Sequence, residues 1–378
     1  MSIIPNFAFL RYVLEPFEVR LVGGAVRDIL SGIPPKDYDF STTCLPEIVM
    51  EKCRDAGAKA QPTGLQHGTV TIITHEGVSE VTTLRVDEFA DGRWAEVKFT
   101  DDWQKDAARR DFTINAMSMD FNGDIYDYYG GERDIATGQV RFVGDAGERI
   151  REDYLRIMRY FRFAGRVNGF PFEVKTLDAI KENMIGINKI SGERIANELG
   201  KIVDCFNKNG VMFAMNDVGL MNKIRIPFRI AEMWDFTRNN NARSPFELIL
   251  ASFFRSTEEV DYFYERVRIT GAQKKLISLI VENKERGLIK SELVRMIETG
   301  FDRSVLLKIA KFQDDLEAVY MLHDDNLPKF PVTQGEISFN PNIPKRNIKK
   351  VYLQLLEEWI NSNYKLTKEE LLWKQLQE

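Results

Sequence analysis

Two aspartates separated by a single residue are the first candidates for chemistry. Asp37 and Asp39 flank a tyrosine in the stretch DYD. Residues i and i+2 of a β-strand point to the same face, so the two carboxylates would converge on one spot. Like charges held that close repel each other unless a divalent cation lies between them. Because Mg²⁺ binds carboxylate oxygens together with substrate phosphates, the pair indicates metal-dependent nucleotidyl transfer.

A glycine pair precedes these aspartates. Gly23 and Gly24 follow the strand-like stretch EVRLV and precede a helix-like stretch from Ala25 to Leu30. A strand–glycine–helix junction turns backbone N–H groups and a helix N-terminus toward an anion. Arg27, one turn into the helix, could add a charged donor to a phosphate. The third glycine of the dinucleotide fingerprint GxGxxG is missing, and a simple glycine turn with a surface arginine is the alternative.

Two clusters of charged residues follow further along the chain. One is the stretch RRDFTIN, which begins with Arg109 and Arg110. The other is EDYLRIMRYFRF, in which charged residues recur every three positions and neighbour one another along a helix. Its members are Asp153, Arg156, Arg159 and Arg162, with Tyr154, Met158 and Phe161 as the expected buried stripe. Each cluster taken alone is also consistent with a solvated charged surface.

An aspartate and an arginine together can distinguish bases. Cytosine and adenine both present an exocyclic amine beside an unprotonated ring nitrogen, which suit a carboxylate acceptor and a guanidinium donor. Guanine and uracil present the reverse pattern, and unpaired buried polar groups cost about 1–3 kcal/mol each. An aspartate–arginine pair could therefore admit C and A and exclude G and U.

The elements that must position these residues fall into two regions. Strand-like runs rich in Val, Ile and Thr occur at Thr69–Thr74, Glu80–Val86 and Ala95–Phe99, with a turn or loop expected at Asp91-Gly92. From about residue 150 the pattern is helical, Ser191 is a plausible N-cap, and prolines between 328 and 344 predict a loop. The sequence therefore predicts an α/β head followed by an all-α remainder.

Composition narrows the class of protein. A chain of 378 residues with 44% hydrophobic and 29% charged residues predicts two or more globular domains. It has only three cysteines and three histidines, and we expect no zinc, haem or flavin. The net charge of −5 argues against a non-specific polyanion binder. We expect no membrane association and no secretory signal, and therefore a cytoplasmic protein. The oligomeric state stays open.

Taken together, the motifs resemble those of class II tRNA nucleotidyltransferases, the CCA-adding enzymes and their poly(A) polymerase relatives. The resemblance rests on GGAVRD, DYD, RRDFTINAM, EDYLRIMRYFRF and SGERI, which occur in this order. The stretch LRVDEFADGRWAEVKFTDDWQKDAARRD is most similar to CCA-adding enzymes of eukaryotes and their bacterial kin. The C-terminal part of the chain carries no motif of the family.

The resemblance implies an α+β nucleotidyltransferase head like that of DNA polymerase β, a mixed sheet with helices, followed by an all-α neck, body and tail. The head would span residues 1–145 and the neck 146–215. The body and tail, 216–378, would bind tRNA. By motif, Asp37 and Asp39 would be catalytic and bind Mg²⁺, and Glu80 could add a third acid. The nucleotide would contact Gly24, Arg27, Arg110, Asp153, Arg156, Arg159 and Arg162.

The implied function is template-independent addition of C, C and A to the 3′ end of tRNA from CTP and ATP. An A-adding enzyme or poly(A) polymerase of the same superfamily is one alternative, and a non-catalytic tRNA-binding protein is another. The intact pair Asp37 and Asp39 argues against a pure binder. We expect the loop around Asp91-Gly92 to move between C and A addition. A fused phosphohydrolase is not expected, because LHDD supplies only His323, interpreted as an exposed helix end.

Overall fold

The fold is described from a computed structural model of the chain. It covers residues 4–90, 95–167, 172–205, 207–229, 246–282, 289–312, 315–323 and 326–374. The loop predicted at Asp91-Gly92 therefore lies outside the described residues. The chain forms two compact units, one of residues 1–233 and 261–270 and the other of residues 234–260 and 271–378.

A mixed seven-stranded sheet is the centre of the first unit. The strands run β1 Val19–Val22, β2 Asp39–Thr42, β3 Lys59–Gly64, β4 Thr69–Thr74, β5 Gly77–Thr83, β6 Arg85–Ala90, β7 Ala95–Phe99, β8 Met117–Met119 and β9 Ile125–Asp127. Their order in the sheet is β3-β4-β5-β2-β1-β8-β9, and β6 and β7 form a separate two-stranded ribbon. All pairs in the large sheet are antiparallel except β2 with β5. The four residues of β1 are all buried, as expected for a central strand.

The single strand predicted from Glu80 to Val86 is wrong, because the chain changes sheets at Leu84. The Leu84 N–H donates to the carbonyl of Thr42 in the large sheet, at 2.9 Å. Its own carbonyl accepts from the N–H of Thr100, which follows the ribbon, also at 2.9 Å. One β-branched run therefore supplies both β5 and β6.

Helices of the first unit cover the sheet and then continue beyond it. They are α1 Phe7–Val13, α2 Gly24–Leu30, α3 Pro46–Asp55, α4 Trp103–Ala108, α5 Gly131–Ala136, α6 Ala146–Glu152, α7 Leu155–Arg166, α8 Val174–Glu182, α9 Gly192–Val203, α10 Lys208–Asp217 and α11 Leu220–Lys223. Helix α7 buries Met158 and Phe161 as predicted, whereas Tyr154 precedes the helix and is half-buried. Ser191 is the N-cap residue of α9, although its side chain makes no capping hydrogen bond.

The second unit is helical throughout its described residues. Its helices include Phe246–Phe253, Gly271–Glu282, Lys290–Glu298, Arg303–Phe312, Leu316–Leu322, Gln334–Ser338, Ile348–Asn361 and Lys368–Lys374, and the residues of helix Thr257–Arg266 are divided between the two units. The loop predicted at 328–344 thus contains one short helix. His323 is exposed at a helix end, as predicted. The mixed-sheet head and all-α remainder confirm the predicted fold class, and the boundaries at 145 and 215 stay predictions.

No helix in the described ranges is both long enough and apolar enough to cross a membrane.

Candidate active site

The turn between β1 and α2 depends on Gly23. Its backbone has φ 65° and ψ −120°, a conformation that residues with a Cβ avoid. A Cβ placed on Gly23 would lie 2.8 Å from Nη1 of Arg110, so this arginine packs directly over the glycine. Gly24 has an ordinary conformation, and a Cβ there would meet Arg27 only at a normal 3.6 Å. The sequence analysis placed both glycines in the turn and Gly24 against the nucleotide. The backbone conformation requires glycine at position 23.

The two predicted metal-binding aspartates lie at the start of β2. Only Asp39 belongs to the strand, and Asp37 lies in a bend before it, so the assumption that both occupy one strand is wrong. Both side chains are exposed to solvent. Phe40 pairs with Leu21 of β1, which brings Asp39 beside the end of β1 and the Gly23 turn. Asp37 thus lies near Asp39 because of the bend, and its charge acts on the Asp39 carboxyl.

The surroundings of Asp39 fit a bound cation. Displacement of water around this carboxyl raises its pKa, and the charges of Glu80 and Asp37 raise it further. Arg110 acts in the opposite direction. Glu80 is the residue paired with Asp39 across the parallel β2–β5 register. Neither aspartate has an ion-pair partner within the described part of the chain, so a divalent cation would relieve this repulsion.

A third carboxylate ligand does not come together with this pair. Within the described ranges no group of three His, Cys, Asp or Glu side chains has the geometry of a metal site. Two carboxylates are nevertheless sufficient for Mg²⁺, which keeps several waters and takes further oxygens from substrate phosphates. Glu80 therefore influences Asp39 by its charge, and a role as metal ligand has no geometric support.

The predicted nucleotide contacts all meet at one cleft of about 470 Å³. Its lining includes Gly24, Arg27, Arg110, Asp153, Arg156, Arg159 and Arg162. These residues come from the first turn of α2, from the segment that follows α4, and from the start and partly exposed side of α7. Arg110 connects the cleft to the carboxylates, because it lines the cleft and its charge acts on Asp39.

Each arginine of the cleft is held by one acidic residue. The pairs are Arg27–Asp28, Arg110–Asp106, Arg156–Glu152, Arg159–Asp111, Arg162–Glu198 and Arg194–Asp153. A guanidinium has five N–H donors, and a carboxylate occupies only one or two of them. The carboxylate thus orients the guanidinium and leaves other N–H groups available to an anion. The six carboxylates balance the six positive charges in formal count, so what the cleft offers a triphosphate is a set of oriented, charged N–H donors.

Burial strengthens the interaction of these groups with an anion. Removal from water lowers the pKa of the Arg27, Arg110 and Arg162 guanidinium groups. Arginine stays protonated in proteins even so, which leaves buried positive charges in a region of low dielectric constant. The ring of Phe163 lies beneath two of them, 4.8 Å from Arg27 and 4.2 Å from Arg162.

Asp153 is held by Arg194, a residue that the sequence analysis did not assign to the site. It lies just before α7, where its Oδ1 accepts from the N–H of Leu155 at 3.0 Å and its Oδ2 from Nη2 of Arg194 at 2.8 Å. Arg156 instead pairs with Glu152 and donates to the carbonyl of Arg149 at 2.7 Å. The carboxylate of Asp153 keeps free lone pairs for a base amine. The pair that fixes it is Asp153 with Arg194.

Several site residues escaped the sequence interpretation although they lie within the quoted motifs. Asp111 and Asn115 belong to RRDFTIN, Asp28 to GGAVRD, and Arg194 to SGERI. Asp111 accepts from both Arg159 and Asn115. Burial acts to raise the pKa of Asp111, but Arg159 and Asn115 outweigh it and the pKa is lowered, so this carboxyl stays ionised. Motif membership was the only available signal, because each of these networks also includes a partner that is distant in sequence, such as Arg166 for Asp28 and Arg159 for Asp111.

Two family models match the chain. The poly A polymerase head domain matches residues 19–141, and the probable RNA and SrmB-binding site of polymerase A matches residues 169–224. The first contains the sheet and about half of the residues that line the cleft, including Arg27 and Arg110. The second contains α8, α9 and Arg194.

Full-length relatives are similar over nearly the whole chain. The mitochondrial CCA tRNA nucleotidyltransferase 1 of Mus musculus is 37% identical over 377 residues, covering 96% of this chain and 87% of the relative. The Homo sapiens protein of the same name is 38% identical over 379 residues, with 96% and 87% coverage. A crystal structure of the Bacillus stearothermophilus CCA-adding enzyme in complex with CTP has the same fold. It has a TM-score of 0.70 at 23% identity and covers 99% of this chain and 98% of that one.

Proposed function

Because the chain belongs to the CCA tRNA nucleotidyltransferase and poly(A) polymerase family, we propose that it adds C, C and A to the 3′ end of tRNA. The substrates are CTP and ATP, and the reaction releases pyrophosphate without using a template. The names of the two mammalian relatives favour CCA addition over the alternatives of A addition alone and poly(A) synthesis. Their names also favour an enzyme over a non-catalytic tRNA-binding protein.

One observation carries this proposal. Seven residues chosen from three separate motifs line a single cleft, and that cleft borders Asp39 through Arg110. Gly24, Arg27 and Arg110 hold the triphosphate, with guanidinium N–H groups donating to phosphate oxygens. Asp153, together with the arginines of α7, contacts the base. A surface composed of solvated charges would not direct buried arginines into one concave space.

Asp37 and Asp39 are the residues proposed to hold the divalent metal ion that the family uses, which we identify as Mg²⁺ from the carboxylate ligands. When bound, the ion activates the 3′-hydroxyl of tRNA and neutralises charge on the leaving pyrophosphate. The chain's own contribution is positional. Arg27 and Arg110 fix the triphosphate beside the two carboxylates so that its α-phosphorus faces the incoming hydroxyl.

Base selection follows from fixed donors and acceptors. The Asp153 carboxylate, held by Arg194, accepts a hydrogen bond from the exocyclic amine of C or A. An arginine of α7 donates to the unprotonated ring nitrogen. UTP and GTP would place a carbonyl against the carboxylate, at a cost of about 1–3 kcal/mol per unpaired group. The protein itself thus takes the place of a template.

The decisive experiment uses a tRNA transcript that lacks its 3′ CCA. The enzyme is incubated with Mg²⁺ and CTP alone, ATP alone or both, and products are separated at single-nucleotide resolution. We expect two additions with CTP, three with both nucleotides, and one addition of A to a CC-ending tRNA. Addition of A only to CC-ending tRNA, or long runs of A, would identify the corresponding alternative. Tight binding of tRNA without any extension would identify a binding protein.

The cytoplasm stays the proposed compartment. The support is the low cysteine content and the three free, buried cysteines of the structure. Both mammalian relatives are named as mitochondrial proteins. Fluorescence imaging of the tagged full-length chain, expressed in cells of its source organism, decides between the two compartments.

A further inference from the structure

Helix α7, which carries the base-contacting arginines, packs on the head of the first unit through Tyr160 and Phe163, which contact Phe112 and Phe142. Two ion pairs add polar attachments on either side of this aromatic contact. The lower attachment is Arg159, whose Nε donates to Oδ2 of Asp111 at 2.6 Å. The upper one is Arg166, the last residue of the helix, whose Nη2 donates to Oδ2 of Asp28 at 2.7 Å. Seven residues separate the two arginines, which corresponds to about two helical turns, or about 10 Å.

The two acceptors are themselves joined inside the head. Asp28 accepts through Oδ1 from Nε and Nη2 of Arg27, at 2.9 and 2.7 Å. Nη1 of Arg27 donates to Asn115, and Asn115 donates to Oδ1 of Asp111 at 3.0 Å. The triphosphate arginine therefore lies in the middle of a continuous network that ends at both attachment points of α7.

Asp28 and Arg166 have no direct place in the cleft. Of the residues that the structure shows lining it, Arg27, Asn115, Asp111 and Arg159 belong to the network, whereas Asp28 and Arg166 stand behind it. Asp28 is 6% exposed, and its single carboxylate pairs with both Arg27 and Arg166. Arg166 keeps 35% of its side chain exposed, so it can be replaced without opening a cavity.

We propose that Asp28 and Arg166 are positioning residues that fix the base-contacting helix against the triphosphate site. This inference rests on the proposed function. Arg162 lies between the two attachment points, so its distance from Arg27 is set by both of them. If the upper ion pair is lost, the end of α7 is held to the head by aromatic packing alone, which fixes its rotation less closely, and the base contacts shift relative to the triphosphate. Nucleotide selection then suffers more than the binding of tRNA.

The test is Arg166→Ala, assayed by steady-state addition of CTP, ATP, UTP and GTP to tRNA lacking CCA. We expect kcat/KM for CTP to fall about tenfold, the loss of about 1.4 kcal/mol of transition-state stabilisation. We expect the preference for CTP over UTP to fall as well, while the Kd for tRNA and the unfolding midpoint stay at wild-type values. Arg166→Lys keeps the charge and one donor to Asp28, and should recover most of the preference.

Arg151→Ala is the matched control, because it removes an exposed arginine of the adjacent α6 that lies outside the network. An unchanged CTP preference in Arg166→Ala would overturn the inference, and so would equal losses in Arg166→Ala and Arg151→Ala, which would indicate a general effect of charge. Asp28→Asn is the second variant. It leaves two arginines without a carboxylate, so we expect the same loss of preference together with lower stability. A wild-type enzyme that adds no nucleotide would instead refute the proposed function.

Discussion

Replacement of Gly23 by alanine tests the geometry of the phosphate-binding turn most directly. The substitution adds a single methyl group at φ 65° and ψ −120°, a backbone conformation that only glycine adopts without strain. Backbone strain of this kind costs about 1–3 kcal/mol. The methyl group would also lie 2.8 Å from Nη1 of Arg110, which therefore has to move.

The displacement of Arg110 has its own cost. Nη2 of this arginine donates to Asp106 at 3.2 Å, and Asp106 is almost fully buried. Weakening a hydrogen bond to a charged group costs about 1.5–3 kcal/mol at most, and less here because Arg109 also binds Asp106 at 2.8 Å. We therefore expect Gly23→Ala to lower the free energy of unfolding by about 2–3 kcal/mol in total. A protein of ordinary stability stays folded at 25 °C after such a loss.

Gly24→Ala is the control, since the added Cβ meets Arg27 at a normal 3.6 Å in the first turn of α2. Its stability should match or slightly exceed that of the wild type, because alanine favours the helix. Urea unfolding followed by circular dichroism measures the difference between the two variants. Calorimetric titration with CTP should show an increase in Kd of about tenfold or more for Gly23→Ala, because its triphosphate arginine is displaced.

Equal stability of the Gly23→Ala and Gly24→Ala variants would refute the assignment of the strained turn to Gly23. Normal CTP affinity in a destabilised Gly23→Ala variant would refute the role of Arg110 while leaving the turn intact.

Three further predictions address the carboxylates and the base. Asp39→Asn should abolish nucleotide addition without weakening tRNA binding, and turnover above a few per cent of wild type would refute its role as metal ligand. Glu80→Gln should lower the pKa of Asp39, because it removes the like charge paired with Asp39 across the β2–β5 register. The pKa is measured by NMR titration without divalent ions. Because the pKa of Asp39 is raised in the folded protein, the metal-free protein loses stability as the pH rises through that pKa. Glu80→Gln should reduce this loss of stability. An unchanged pKa of Asp39 in this variant would contradict the explanation. Asp153→Ala should narrow the rate gap between CTP and UTP, and an unchanged ratio with lower rates would make the residue purely structural.

From the sequence alone we predicted the class of fold, which the structure confirms, and seven nucleotide-contacting residues, which the structure brings to one cleft. Strand periodicity gave β4 and β7 with their correct bounds, and the helical period of α7 and α9 followed from the spacing of apolar residues. Local patterns succeed here because burial of one face enforces a period of two or of 3.6 residues along the chain. The seven nucleotide residues came from short motifs, whose chemistry is visible without the fold.

Where local patterns compete, the sequence was insufficient. The β-branched run through Leu84 looks continuous, yet the partner strands change at that residue. Asp37 and Asp39 alternate like strand residues, but β2 begins only at Asp39. In both cases the end of a strand is decided by the neighbouring strand that supplies its hydrogen bonds, and a single segment contains no information about that neighbour.

The long-range charge pairs could not be predicted from the sequence. Arg166 and Asp28 are 138 residues apart, Arg27 and Asn115 are 88 apart, and the partner of Asp153 is Arg194, 41 residues away. The glycine that the turn requires proved to be Gly23, because Arg110 from a distant segment packs over it. Half of the cleft pairs are local in sequence, namely Arg27–Asp28, Arg110–Asp106 and Arg156–Glu152. The other three, Arg159–Asp111, Arg162–Glu198 and Arg194–Asp153, form only in the folded chain, because the packing of α7 against α9 and against Phe112 brings distant segments together.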